Sequence, residues 1–578
     1  MTRLLVHLIL AGSLLSILMH CSRENVSTSQ DTDEIQLLLP KGFEVQVVVD
    51  SIGQGRHLAV NENGDIYVKL KSSDQNGGIV AMRDTTGDGV MDIQRKFGND
   101  DGTYAETGMK IHNGYLYFSS SLAVYRYKLT PGRLVPESPM DTVVLDGHDH
   151  GDHEHNTKPI SFDNQGNIYV PYGAPNNACQ EPKRTPEVPG LDPCPTLEDH
   201  GGIWRFSEDT LNQTQAEGYK YATGIRSVVA MAWNPVDENL YLVMHGRDDL
   251  HRLFPNKFSQ WQNAVLPSEE FFRVTDGANF GWPYCYYDHI KEKKVLAPEY
   301  GGDGEMIGRC SQYDNPILGF PGHFAPNDLL FYQVDQFPEH YRNGAFIAFH
   351  GSTIRNPYPQ AGYFIAFVPF ENGKPSGEWE VFANGFAGVD PIVNTSDAKH
   401  RPSGLAVGPD GSLYVTEDLK GKIWKITYTG ERDDYDSQAL AQMVEEKQTA
   451  SNIRDPHPER DNLQKGVPIG GEKIYSTYCA SCHQQDGKGA PGRYPPLAGT
   501  DWVTGDKERL INLILAGLEG PIEVNGENYN AVMPQHSFLS DREAAEVLTY
   551  IRQSFGNDAS AITEEEVTKT RDQLNKPE

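Results

Sequence analysis

The chain has 578 residues, more than one ordinary domain contains. Hydrophobic residues make up 38% of it and charged residues 22%, a balance that supports packed cores and excludes wholesale disorder. The formal net charge is −30, so the surface repels phosphate backbones and nucleic acid is not expected as a partner.

The N-terminus predicts export. Residues 4–19 are mainly apolar and follow Arg3, but they are too few and too close to the N-terminus for a membrane span, so residues 1–21 are interpreted as a signal peptide. Cys21 stands where bacterial lipoproteins carry the cysteine that becomes lipidated, although His20 replaces the small residue usual before it.

Residues 22–37 are polar and are predicted to form a tether. Contact with a membrane is then expected through the lipid anchor alone, with the body of the protein in the periplasm or at the cell surface. A plain secreted protein and an uncleaved anchor are the alternatives. All three place the body outside the cytoplasm, where disulfides are stable.

A two-part pattern recurs six times between residues 38 and 428. Its first part is a turn of Asn, Asp or Gly followed by an apolar–aromatic–apolar strand, which is typical of a hairpin. The six copies are NENGDIYV (61–68), HNGYLYFS (112–119), NQGNIYVP (164–171), VDENLYLV (236–243), RNGAFIAF (342–349) and PDGSLYVT (409–416). A further strand pattern follows each copy, and the sixth is GKIWKITY (421–428). Six such units predict an all-β six-bladed β-propeller rather than a sandwich.

The pattern ends after residue 428. Residues 429–466 are charged and are predicted to be a linker, with a helix-like stretch at 437–448. The periodicity then becomes helical, and Ser540 with Glu543 forms a predicted capping box before an apolar stripe. Residues 557–578 are interpreted as a polar C-terminal tail.

The strongest motif is Cys479-Ala-Ser-Cys482-His483. Two thiols separated by two residues and followed by histidine are typical of covalent attachment of a c-type haem, with His483 reaching the iron. Together with the helices around it, the motif resembles class I cytochrome c over residues 467–556. The resemblance implies a small all-α domain that carries haem c.

Met533, in AVMPQH, is the expected second iron ligand. His536 is a competing candidate, and core packing is the alternative for Met533. Ligation by His and Met raises the reduction potential of a haem, which suits an electron acceptor.

Four cations occupy similar positions in different repeats. Arg56, His155, Arg226 and Arg401 each precede the turn of their repeat by about eight to twelve residues. In a propeller these positions begin the innermost strands, so the side chains are expected to converge at one mouth of the channel. Converging arginines predict an anionic ligand, because each guanidinium binds carboxylate or phosphate in a bidentate manner. The alternative for each arginine is a surface salt bridge.

Residues 38–428 resemble the glucose/sorbosone dehydrogenase family, the PQQ-dependent soluble aldose dehydrogenases. The resemblance is carried by EHNTKPISFDNQGNIYVPYG, TGIRSVVAMAWNP, YLVMHGRDDLHRL, DGANFGWPYCYYD, FIAFHGSTIRNP and KHRPSGLAVGPDGSLYVTEDLKGKIWKI. It implies six blades, PQQ over the channel mouth and calcium beside it. PQQ is a tricarboxylate, the kind of ligand that the converging arginines predict.

The resemblance also implies roles for single residues. His155 matches the catalytic histidine, a general base that takes the substrate's hydroxyl proton while hydride passes to the C5 carbonyl of PQQ. The residues matched to PQQ binding are Arg56, Arg226, Arg355 and Arg401. Gly246 and Arg247 match a segment whose backbone carbonyls hold calcium, and Asp248 and His350 are further pocket candidates. GAPNNAC (173–179) lacks an aspartate of the glucose enzymes, which favours a sorbosone-like substrate.

Four of the seven cysteines remain after Cys21 and the haem motif. They are Cys179, Cys194, Cys285 and Cys310. Three sets of disulfides are possible, and Cys179–Cys194 with Cys285–Cys310 is favoured because each pair closes a short loop within one insertion. The histidine-rich HDHGDHEH (148–155) is interpreted as a polar loop, with a zinc or copper site as the alternative.

These observations predict an exported quinohaemoprotein dehydrogenase. It would oxidise a sugar or a related alcohol or aldehyde on PQQ and pass electrons through its haem to a periplasmic cytochrome or an oxidase. The alternatives are a PQQ-free binding module that positions a cytochrome, and a calcium-dependent lactonase.

Overall fold

The predicted six-bladed propeller followed by a small helical domain is confirmed. The structure is a computed structural model that describes residues 36–98, 108–148, 153–431, 435–450, 452 and 470–574. The predicted signal peptide with Cys21 and nearly all of the predicted tether lie outside these residues. Within the described ranges, no helix is long and apolar enough to cross a bilayer.

Each blade is built on a four-stranded antiparallel sheet. One strand, β1 (Phe43–Val49), precedes the first blade. Blades one to three then contain β2 (Gly55–Val60), β3 (Ile66–Asp74), β4 (Gly77–Arg83), β5 (Ile93–Phe97), β6 (Met109–His112), β7 (Tyr115–Ser119), β8 (Ala123–Lys128), β9 (Asp141–Leu145), β10 (Ser161–Phe162), β11 (Asn167–Tyr172), β12 (Gly202–Ser207), β13 (Gln213–Thr214) and β14 (Tyr219–Thr223). The short β13 adds to blade two by pairing in parallel with β9.

Blades four to six follow the same plan, with larger insertions. The strands in this part of the chain are β15 (Val228–Asn234), β16 (Asn239–Met244), β17 (Glu269–Val274), β18 (Ala278–Asn279), β19 (Cys285–Asp288), β20 (Lys293–Leu296), β21 (Leu318–Phe320), β22 (Pro326–Tyr332), β23 (Gly344–Phe349), β24 (Phe364–Val368), β25 (Phe370–Glu371), β26 (Lys374–Pro375), β27 (Glu380–Ala383), β28 (Pro402–Val407), β29 (Leu413–Glu417) and β30 (Ile423–Tyr428). Of these, β18 pairs in parallel with β14 of blade three, and β19–β20 and β25–β26 form separate two-stranded sheets. Two short helices, α1 (Leu250–Leu253) and α2 (Gln260–Val265), follow β16.

The propeller closes by joining its two ends. Strand β1 pairs antiparallel with β30, with Phe43 opposite Tyr428, so the first strand completes the sixth blade. The first strand of each blade is innermost, since β2 contacts β6 and β28, and β15 contacts β10 and β22. The starts of these strands therefore meet at one mouth of the channel.

Both disulfides lie in insertions of the propeller. Cys179 is bonded to Cys194 between β11 and β12, and Cys285 is bonded to Cys310 between β17 and β21. These are the two pairings that the sequence favoured. All four cysteines belong to one buried cluster, so the two insertions pack against each other.

The predicted linker begins with a helix that packs on the propeller. This helix, α3 (Ser437–Thr449), is capped by Asp436, whose carboxylate accepts hydrogen bonds from the backbone of Gln438 and Ala439. Met443 is buried and its sulfur accepts a hydrogen bond from Tyr341.

The C-terminal domain is mainly helical. It contains α4 (Gly470–Tyr478), α5 (Ala480–His483), α6 (Asp501–Thr504), α7 (Lys507–Ala516), β31 (Ile522–Val524), β32 (Glu527–Tyr529), α8 (Asp541–Gln553) and α9 (Glu564–Leu574). Helices α4 and α8 cross closely at Gly471, where a Cβ would lie 2.1 Å from the carbonyl oxygen of Glu546. The predicted capping box at Ser540 and Glu543 is present.

The segment after residue 556 differs from the predicted polar tail. Within it, α9 packs against α7 and α8 and buries Val567. Arg571 is paired with Asp541 at 2.6 Å. One buried valine in an otherwise charged helix is a weak sequence signal for packing. The contact of this helix with α8 is visible only in the tertiary structure.

Candidate active site and haem cavity

The four predicted cations lie at the same mouth of the propeller. Arg56 is the second residue of β2, Arg226 precedes β15 by two residues, and Arg401 directly precedes β28. His155 lies in the connection that leads into β10. Arg56, Arg226 and Arg401 lie at the starts of innermost strands and His155 lies in the connection before one, so the spacing argument from the sequence placed them at the correct end of each blade.

Arg226 is the centre of one buried network. It is 3% exposed, and its guanidinium donates to the carbonyl oxygen of Gly246 at 2.7 Å and to Asn177 and Asp248 at 2.8 Å each. Arg184 donates to the same Asp248 carboxylate at 3.0 Å. Burial opposes ionisation of Asp248, but the charges of Arg226, His323 and Arg184 outweigh it and lower its pKa.

A second network joins blades one, five and six. Arg401 donates to Nδ1 of His350 at 2.8 Å and to the carbonyl oxygen of Gly351 at 2.5 Å. Nε2 of His350 lies 2.8 Å from Asp418, and Arg56 lies 3.6 Å from the other oxygen of that carboxylate. Burial lowers the pKa of His350 to about 4, so this imidazole is neutral.

These networks leave buried donors for an anionic ligand. The Nε atoms of Arg56 and Arg226 are buried, and neither has a hydrogen-bond partner among the described residues. A buried N–H without a partner is costly, and a carboxylate oxygen is a strong acceptor for it. The donor set therefore fits a polyanionic cofactor such as PQQ.

The imidazole of His155 is held in one orientation by a backbone hydrogen bond. Its Nδ1–H donates to the carbonyl oxygen of Ala174 at 2.6 Å, which leaves Nε2 as the unprotonated nitrogen. Burial, followed by the positive charge of Arg226, lowers the pKa of His155 well below 6.5. Gly173 is required beside it, because a Cβ there would lie 2.2 Å from the carbonyl oxygen of His155.

Oxygen atoms surround Gly246, where calcium is expected. The carbonyl oxygens of Ser268 and Pro267 lie 2.9 and 3.0 Å from where a Cβ on Gly246 would be. Glu269 accepts a hydrogen bond from the Gly246 N–H at 2.9 Å, and burial raises the pKa of Glu269 to about 7. These oxygens crowd Gly246, and its own carbonyl oxygen accepts a hydrogen bond from Arg226, so the calcium site stays a prediction. The Arg247 side chain is instead engaged in a buried pair with Glu299.

Arg355 serves the structure of its own loop. Its guanidinium donates to the carbonyl oxygens of Pro359 at 3.0 Å and Gly322 at 3.2 Å. Burial, with a smaller contribution from the charge of Arg355, lowers the pKa of His323, whose Nδ1 lies 4.0 Å from Asp248. Arg355 is thus linked to the mouth through His323, and its PQQ-binding role stays a prediction.

The haem motif opens on a cavity with mainly apolar walls. Cys479, Cys482, His483, Met533 and His536 all line it. The two thiols are unpaired and buried, and burial raises the pKa of each to about 12. The donor types and the apolar walls fit a covalently attached haem.

His483 is held as an iron ligand would be. Its Nδ1–H donates to the carbonyl oxygen of Pro495 at 2.9 Å, which fixes the ring and leaves Nε2 for a metal. Met533 also lines the cavity, and its backbone pairs with Leu518 in an antiparallel bridge. His536 is 4% exposed, so Met533 and His536 both remain candidates for the second ligand.

Loops from the propeller mouth reach this cavity. Tyr358, which follows β23, lines it, and its ring centroid lies 6.1 Å from that of His536. Trp261 on α2 lies 5.3 Å from Tyr478 and 5.7 Å from Phe538, centroid to centroid. The cytochrome-like domain therefore packs on the same mouth that holds the arginine networks.

The sequence did not identify Asn177, Arg184 and Asp418 as members of these networks. Asn177 and Arg184 lie in the insertion after β11, outside the repeated pattern, so an alignment of repeats could not find them. Asp418 directly follows β29, the strand of the sixth repeat. That position is the one sequence signal that could have placed Asp418 at the mouth.

Two family models match the chain. The model described as TrAA12-like matches residues 37–429, and the model described as cytochrome c matches residues 470–555. The PQQ domain of pyranose dehydrogenase from Coprinopsis cinerea, in its holo form, has a TM-score of 0.54 at 17% identity. That alignment covers 68% of this chain and 97% of the other, and it shows similarity of fold.

Curated relatives match the C-terminal domain. Cytochrome c-552 of Thermus thermophilus is 46% identical over 111 residues, which are 18% of this chain and 83% of the relative. The cytochrome c subunit of alcohol dehydrogenase (quinone) from Gluconacetobacter polyoxogenes is 39% identical over 108 residues, 18% of this chain and 23% of the subunit.

Proposed function

The chain belongs to the TrAA12-like family, and from this membership we propose that it is an exported quinohaemoprotein dehydrogenase acting on a sugar or a related alcohol or aldehyde. The observation that carries the proposal is the arrangement of the two sites. Buried arginine networks and a haem-type cavity share one mouth of the propeller, on a single chain.

The arginines hold the proposed cofactor. Arg226 and Arg56 offer buried N–H groups, and Arg401 adds a third positive charge at the same mouth. PQQ, when bound, accepts two electrons from the substrate. Asp248 and Asp418 fix the guanidinium groups in place, so the site is organised before the ligand arrives.

His155 would remove the hydroxyl proton of the substrate. Its Nδ1–H is committed to Ala174, so Nε2 receives the proton and the resulting imidazolium keeps that backbone hydrogen bond. Calcium is proposed at the backbone carbonyl oxygens of Gly246 and Arg247, and a bound ion would share the Gly246 oxygen with the Arg226 guanidinium.

The haem accepts one electron at a time, so two transfers complete each turnover. Fusion to the propeller keeps the acceptor at a high effective concentration. We expect the electrons to continue to a periplasmic cytochrome or an oxidase, from a chain anchored to the membrane by a lipid on Cys21. The PQQ in the C. cinerea domain and the quinone enzyme to which the cytochrome relative belongs support this proposal.

Reconstitution tests the proposal. The haem-loaded protein is given PQQ and calcium and then a panel of aldoses, ketoses and polyols, while the haem absorbance is followed. We expect at least one substrate to reduce the haem, and only when PQQ is present. Sugar binding without haem reduction for every compound would instead support the binding-module alternative.

Electron transfer should depend on the contact between the domains. Arg493 of the cytochrome domain donates to Asp397 at 3.2 Å and to the carbonyl oxygen of Pro391 at 3.0 Å. Arg493→Glu places like charges together, and since an exposed pair contributes up to about 1 kcal/mol, we expect substrate-driven haem reduction to slow up to about fivefold. Stopped-flow absorbance measures this rate.

The matched control is Arg309→Glu. Arg309 pairs with Asp192 at 2.6 Å, and its side chain is 36% exposed, the same fraction as that of Arg493. This pair lies on the insertions of the propeller, so its loss should leave the rate unchanged. Equal slowing in both variants would show that the Arg493 contact has no specific role.

A further inference from the structure

Three potential metal ligands meet between blades two and three. His148 follows β9, and Asp199 and His200 precede β12. One ligand atom from each of the three lies within 4.8 Å of the other two. Asp199 and His200 lie far from His148 in the sequence, so only the packing of the blades brings them to the histidine-rich segment.

His148 is oriented by a buried carboxylate. Its Nδ1–H donates to Asp146 at 2.7 Å, and Asp146 is itself paired with Lys158 at 2.6 Å. The tautomer is thereby fixed, and the lone pair on Nε2 lies 3.8 Å from Asp199 Oδ2. A carboxylate behind a histidine is the usual support of a metal-bound imidazole.

His200 supplies the second imidazole. It is 9% exposed, its Nδ1 lies 2.7 Å from Asp199 Oδ1, and its buried Nε2 has no hydrogen-bond partner among the described residues. Its ring centroid lies 4.4 Å from that of His148. A buried ring nitrogen without a partner is costly unless a ligand satisfies it.

We propose that His148, Asp199 and His200 bind a divalent transition-metal ion of the zinc class. Two atoms bonded to one zinc ion at about 2.0–2.2 Å lie roughly 3–4 Å apart, and the distance from His148 to Asp199 falls in this range. Two imidazoles and a carboxylate suit zinc rather than calcium or magnesium, which prefer oxygen alone. This site is separate from the calcium site proposed at Gly246.

The ion would join two blades. His148 belongs to the connection that leads from β9 to His155, and Asp199 to the turn before β12. Asp199 is exposed, which leaves a fourth position open to water or a small ligand. Zinc binding is therefore expected to stabilise the junction of blades two and three.

Zinc binding to the haem-loaded, full-length protein tests the proposal. The protein is stripped with a chelator and resupplied with excess calcium. Binding of added Zn²⁺ is then measured by calorimetry, and metal content is measured after gel filtration. We expect about one Zn²⁺ per chain to be retained, and Asp199→Asn, His148→Ala and His200→Ala each to weaken the affinity by about tenfold or more.

Asp199→Asn carries the test because its side chain is 51% exposed and the change leaves the core intact. His340→Ala is the matched control, since His340 is a partly buried histidine paired with Glu380 on blade five. It should bind zinc as the unaltered protein does. Unchanged affinity in Asp199→Asn and His148→Ala, or displacement of the zinc by calcium, would overturn the proposal.

Discussion

Replacing His155 by alanine is expected to lower substrate-driven haem reduction by about 10²- to 10⁴-fold, the usual contribution of a general base. The imidazole is held through Nδ1 by Ala174, and alanine offers no atom that could take the proton in its place. Cofactor binding should persist, because the cations that hold PQQ in our proposal are Arg226, Arg56 and Arg401. Steady-state turnover and titration of PQQ binding measure the two properties separately.

Arg401→Gln is the contrasting variant. The substitution removes the guanidinium that donates hydrogen bonds to His350 and Gly351 and that carries one of the positive charges proposed to bind PQQ. We therefore expect PQQ to bind about 10- to 100-fold more weakly, as for loss of a charge-assisted hydrogen bond. Turnover at saturating PQQ should then recover in Arg401→Gln but not in His155→Ala. Unchanged turnover in His155→Ala would remove this residue from the base role.

The pH dependence follows from the same histidine. Burial and the charge of Arg226 lower the pKa of His155 in the folded protein, so the neutral base is retained as the pH falls below 6.5. The acid limb of kcat/KM should therefore lie below pH 6.5, and activity should not rise further through the range where an ordinary histidine loses its proton. A profile of kcat/KM against pH checks the direction of the pKa shift of His155.

The double variant Cys479→Ser/Cys482→Ser is expected to lose covalent attachment of haem. It should also lose all substrate-driven haem reduction. Both thiols are buried in the cavity and free of disulfides, and serine cannot form the thioethers. The propeller keeps its own chemistry in our proposal. A soluble dye that accepts electrons directly from the propeller should therefore still be reduced at close to the original rate.

The matched control is Cys179→Ser with Cys194→Ser. It also removes two sulfur atoms, but from a disulfide in the propeller. Loss of that bond costs stability, about 3 kcal/mol for a loop of this length, and it should leave the haem attached. Haem staining of the denatured proteins distinguishes the two variants. Covalent haem in the Cys479/Cys482 variant would contradict the assignment of the motif.

The relation between the two sites could not be read from either motif. The Cys479–His483 motif predicts a haem, and the repeats predict a channel mouth, but neither indicates that the two face each other. That arrangement depends on Trp261 and Tyr358, which lie in insertions of blades four and five and contact the cytochrome domain. Insertions lack a repeat period, so their destination is decided by packing.

The sequence by itself determined the blades, the haem motif, the capping box at Ser540 and the arginine positions, because each depends on residues a short and regular distance apart. Tertiary structure alone decided the partners: Asp248 with Arg184 and Arg226, Asp418 with Arg56, and Asp199 with His148. These pairs join different blades or insertions. The order of the repeats predicts which blades are neighbours, but these side-chain partners depend on how the insertions pack, and no local pattern in the chain records that.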